Sequence, residues 1–146
     1  MSPRPPTSDR VEARRAARGR TEALVAGETV SFDASSGTES SAPPGPAELL
    51  AAAFAAGVLK SLARTRELLG FAVAGAEVEV TARRQDRPPR LVEIADLGRV
   101  TTDDRDRRVE LAHRSLRKHG TVVNTLAAGC DVHGDVLAVR PRALRA

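Results

Sequence analysis

The alternation of hydrophobic and polar positions divides the chain into stretches of different period. Residues 1–9, Met-Ser-Pro-Arg-Pro-Pro-Thr-Ser-Asp, have no apolar period, and their three prolines fix φ and remove backbone donors. A disordered tail is therefore expected over residues 1–10. From Val11 to Ala34 the pattern is strand-like, with turns at Gly19 and at Ala26-Gly27-Glu28. Val30 and Phe32 show a period of two, and together with Leu24 they are the expected inward side chains. Ser35 to Gly45 is a loop by its Ser, Gly and Pro content.

At Pro46 the period lengthens. Gly45-Pro46-Ala47-Glu48 is a good helix start, because proline is pre-organised for the first helical position and Glu48 meets the positive end of the helix dipole. The helix is expected to run to Leu69 and stop at Gly70. Its first half, Leu49 to Leu59, is apolar on every face, so it must be surrounded by its own sheet or by a partner subunit. That uninterrupted run of 11 residues is shorter than the roughly 20 that span a bilayer, and no membrane association is expected. Ala76 to Arg83 alternates as a half-buried strand, Arg87-Pro88-Pro89-Arg90 is a turn, and Leu91 to Thr101 is a second strand. Asp103 or Asp104 is placed to cap a helix reaching His119, with Val109, Ala112 and Leu116 as its apolar stripe. After Gly120, Thr121 is placed to cap a short helix ending at Ala127, and Cys130 to Arg140 is the last strand. Strands, helix, strands, helices, strand is the order of an α+β fold with an antiparallel sheet. The 146 residues suit one domain, over 11–146.

Composition narrows the chemistry. A single cysteine, Cys130, excludes an internal disulfide or a multi-cysteine zinc site. No apolar leader stretch follows the N-terminus, so a cytoplasmic protein is expected. The formal charge is +4, and only Lys60 and Lys118 of the 23 basic residues are lysines. The arginines alternate with acids, as in Asp103-Asp104-Arg105-Asp106, and Trp and Tyr are absent, so the stacking platforms of nucleic-acid binding are missing. Cys130-Asp131-Val132-His133 resembles a ligand set, but residues three apart on a strand point to opposite faces, and no metal site is expected. His113 and His119, six apart on one helix, do not converge.

Three stretches carry a family resemblance. Pro46-Ala47-Glu48-Leu49-Leu50-Ala51-Ala52-Ala53-Phe54-Ala55-Ala56-Gly57 looks like a long central helix, Arg87-Pro88-Pro89-Arg90-Leu91-Val92-Glu93-Ile94 like a Pro-Pro-Arg-Leu turn, and Gly120-Thr121-Val122-Val123-Asn124-Thr125-Leu126 is similar to a Cys-Pro-Val-Ser-Asn-Thr-Leu segment. In this order they resemble the OsmC/Ohr family, the osmotically inducible protein C and organic hydroperoxide resistance proteins. The resemblance implies an intertwined homodimer in which antiparallel sheets wrap around a long central buried helix, with sites at the subunit interface. It also implies a stress-response role, in which one cysteine attacks an organic hydroperoxide and a second resolves the sulfenic acid. Here those two positions are Gly57 and Gly120. The assisting glutamate position is Ala47, beside Glu48, and the assisting arginine is one of Arg14, Arg15, Arg18 and Arg20. The expectation is a member without thiol peroxidase activity, with no catalytic residue of its own and no cofactor. Its interface pocket near Phe54, Gly57, His119 and Gly120 would bind a small apolar or amphipathic molecule. Two other readings compete: a one-cysteine peroxidase acting through Cys130, and an Arg-rich scaffold or nucleic-acid-binding protein.

Overall fold

The computed structural model describes residues 2–15, 21–34, 43–70 and 73–141. Residues 2–11 carry no secondary structure and are exposed. Two compact units follow, Met1–Leu49 and Leu50–Ala146.

In the first unit, β1 (Glu12–Arg15), β2 (Thr21–Val25) and β3 (Glu28–Ser31) form an antiparallel meander in the order β1-β2-β3. The turn expected at Gly19 lies outside the described residues. The second turn is the two-residue pair Ala26-Gly27, with φ of 49° and 83°. Positive φ at both positions matches the twist of the flanking strands, and it fixes the register as Val25 opposite Glu28 and Ala23 opposite Val30. Leu24 therefore lies on the face opposite Val30 and is 53% exposed, which corrects its expected inward placement. The alternation identified Val30, but only the turn length decides which β2 residues share its face.

The helix α1 (Pro46–Leu69) has the expected limits, and Gly70 follows at a φ of 62°. Its start is fixed locally. The Leu49 N–H donates to the Gly45 carbonyl at 3.0 Å, and the Gly45 N–H donates to Glu48 Oε1 at 3.2 Å, one half of a capping box. Glu48 is thus occupied at the helix start.

In the second unit, β4 (Gly75–Asp86) and β5 (Pro89–Thr101) form a long antiparallel hairpin with a bulge between Arg83 and Arg84. The turn tightens to Arg87-Pro88, closed by the Gln85 amide donating to the Arg87 and Pro88 carbonyls at 3.3 and 3.0 Å. Pro89 becomes the first strand residue, a place where its missing donor is tolerated. The chain then crosses through α2 (Asp106–His119) and α3 (Thr121–Ala127) to β6 (Asp131–Val139). That crossover returns β6 parallel to β5, so the sheet β4-β5-β6 is mixed rather than wholly antiparallel. The start of α2 falls at Asp106, later than a cap at Asp103 or Asp104 implied. The cap of α3 is Gly120, without a side-chain hydrogen bond, rather than Thr121.

The core gathers Phe54, Val58 and Leu62 from α1, Ile94 and Val100 from β5, Val109 from α2 and Val123 from α3. The α1 residues recur every four positions and so form one stripe. Each fully buried side chain of this size contributes about 1.5–3 kcal/mol. The rest of α1 differs from the all-round burial expected of it: Leu50, Leu59 and Leu68 are 37%, 38% and 70% exposed in the single chain. By length and composition, α1 is also apolar enough to cross a bilayer. Its stripe packed with β5, α2 and α3 is instead the arrangement of a core helix.

Candidate functional site

Gly57 and Gly120 lie on the elements expected, and the fold brings their surroundings together. Gly57 follows Phe54 by three residues and is half-buried at the edge of the packed stripe. A β-carbon at Gly57 would stand 3.6 Å from Val122 Cβ, two residues into the α3 segment that Gly120 opens. Gly120 is buried, with φ −76° and ψ 116°, and its carbonyl accepts the Asn124 N–H at 2.9 Å. Val123 is 3% exposed and ties α3 to the core, which holds Val122 against α1. The α1–α3 contact is therefore made of glycine and valine.

Of the other expected site residues, Phe54 is fully buried in the core beneath this contact. His119 closes α2, and its side chain lies outside the described residues. Ala47 is half-buried in the first turn of α1. Arg14 pairs with Glu22 at 3.2 Å across the β1–β2 ladder, Arg15 is exposed, and Arg18 and Arg20 lie outside the described residues.

Cys130 sits just before β6, at the opposite end of α3 from Gly120. It is half-buried and packs against the core. Its Sγ donates to the Leu126 carbonyl at 3.3 Å, and its N–H donates to the same oxygen at 3.0 Å. This is a small side chain finishing a helix end.

A second group of polar residues escaped sequence reasoning. On the face of the β4-β5-β6 sheet away from the core, Glu93 Oε2 lies 3.3 Å from His133 Nε2, and Glu93 Oε1 lies 3.5 Å from Arg83 Nε. The hydrogen bond from His133 holds the Glu93 carboxyl below its ordinary pKa, with Arg83 acting in the same direction and desolvation opposing. The spacing of three between Cys130 and His133 puts those two on opposite strand faces. The informative spacing was the two between Asp131 and His133, which keeps both on one strand face. Glu93 joins them only through the parallel pairing of β5 with β6.

No protein-family model and no curated protein matches the chain. Solved structures do. An OsmC-like protein from Mycoplasma pneumoniae superposes with a TM-score of 0.82 at 16% identity, covering 91% of this chain and 98% of the other. An organic hydroperoxide resistance protein OsmC from Legionella pneumophila gives 0.71 at 13% identity, covering 92% and 99%. The organic hydroperoxide resistance protein OhrB of Bacillus subtilis gives 0.63 at 16% identity, covering 89% and 98%. These superpositions cover 89–92% of the chain, so the resemblance read from three sequence stretches holds at the level of architecture: the chain has the OsmC-like fold.

Proposed function

We propose that this protein is an OsmC/Ohr-type stress-response protein that has lost the two-thiol peroxidase cycle. In this reading it is a cytoplasmic homodimer that uses the α1–α3 region to bind a small apolar or amphipathic molecule. The observation that carries the reading is the contact between Gly57 and Val122: the two elements that would supply the sulfurs are side by side, and neither supplies one. A peroxidatic cycle needs a thiolate to be oxidised and a second thiol to resolve it. Cys130 is placed at the other end of α3, hydrogen-bonded and packed into the core. The apolar character of the residues where α1 meets α3 favours a hydrophobic ligand, and the uncovered leucines of α1 favour a second copy of the chain.

The deciding experiment is an organic hydroperoxide reduction assay on wild type and Cys130→Ser, with dithiothreitol and then with dihydrolipoamide as reductant. Neither protein should turn over. Turnover by wild type that is lost in Cys130→Ser would establish a one-cysteine peroxidase and reject the proposal. Ligand binding is read with the fluorescent fatty acid cis-parinaric acid, which should bind saturably to wild type and more weakly to Gly57→Leu, whose folding is checked by its circular dichroism spectrum.

A further inference from the structure

The outer face of the β4-β5-β6 sheet brings three metal-ligating side chains to one point. Asp131 and His133 are successive outward residues of β6, and Glu93 on β5 is in register with Asp131. One donor atom from each residue lies within 4.8 Å of the others. His133 Nε2 and Glu93 Oε2 are 3.3 Å apart. Two ligands bound tetrahedrally at 2.0–2.2 Å are themselves separated by about 3.3–3.5 Å. The imidazole and the carboxylate thus already stand at the spacing of a coordination edge. The second oxygen of Glu93 faces Arg83 Nε at 3.5 Å. A ligating carboxylate is commonly oriented in this way by an outer hydrogen-bonding partner.

We propose that Glu93, Asp131 and His133 form a binding site for a divalent ion of the zinc class, held by His133 Nε2 and one oxygen from each carboxylate. One imidazole and two carboxylates, with no thiolate, suit zinc, iron(II) or manganese(II) rather than a soft ion such as copper(I). Three protein ligands leave coordination positions for water. Cys130 adjoins Asp131 in sequence but packs against the core, so it takes no part. The site is independent of the α1–α3 contact, which shares none of its residues.

The test is a calorimetric titration of the untagged full-length protein with zinc after chelator treatment. One zinc per chain should bind saturably. Glu93→Gln, Asp131→Asn and His133→Asn should each weaken binding by roughly tenfold or more, while Cys130→Ser should leave it unchanged. Asp131 and His133 are exposed and Glu93 is half-buried on the outer face of the sheet, so these variants should keep the wild-type circular dichroism spectrum. A second readout is the imidazole 15N shift of His133, which should move on zinc addition. Absence of saturable binding would reduce the cluster to a surface ion pair and overturn the proposal. A binding curve unaltered by His133→Asn, loss of binding in Cys130→Ser, or an unmoved His133 resonance would do the same.

Discussion

Gly134 lies opposite Asp96 in the β5–β6 ladder, and a β-carbon there would collide with both the carbonyl and the carboxylate of that buried residue. The Asp96 side chain covers the glycine on the core side of the sheet. Gly134→Ala should therefore destabilise the protein by about 1–3 kcal/mol, the usual range for overpacking, as a lowered urea midpoint. Ala26 presents the opposite case. Its φ of 49° is one that an alanine tolerates poorly, so Ala26→Asn should stabilise by about 0.5–1 kcal/mol and raise the melting temperature. Residue-scale roles were legible where they depend on near neighbours. Glu48 sits in the first turn of its helix whatever the rest of the chain does. The faces of Leu24 and of Glu93 were not legible, because each depends on register with another strand.

Among the elements, α1 was read from end to end, because proline, glutamate and glycine mark its limits within a few residues. The direction of β6 was hidden, since it follows from a crossover of two helices and not from anything in Asp131–Val139. The same helix offers two measurable contrasts. Phe54→Ala removes the largest fully buried side chain of the stripe and should cost about 3–5 kcal/mol in chemical unfolding. Gly57→Ala should stabilise by about 0.5–1 kcal/mol, because its new methyl meets Val122 at ordinary contact distance and glycine is a poor helix former. A loss of stability on Gly57→Ala would show that another backbone approaches α1 there.

For the whole molecule, the three resembling stretches identified an architecture at an overall identity too low for the sequence as a whole to do so. They succeeded because they carry the helix, the hairpin turn and the α3 segment, which together set the order of the fold. The proposed departures at Gly57 and Gly120 rest on the same stretches. A ligand for the proposed site was not legible, because a ligand is selected by the shape of a site and not by the identity of two glycines. The proposed dimer makes a separate prediction. Wild type should scatter light as a dimer at micromolar concentration, and Leu59→Glu, placed on the uncovered face of α1, should shift it to a monomer. A monomeric wild type would count against the assembly.

The position of α1 early in the chain has a consequence for synthesis. The 70 residues between Leu69 and Val139 must still be translated before the last strand of its sheet exists. At roughly 5–20 residues per second this interval lasts about 4–14 s. During it, the nascent chain presents a long apolar helix whose packed stripe is covered only as β5, α2 and α3 follow. Ribosome-associated chaperones are therefore expected to engage this helix, and release should follow emergence of α3.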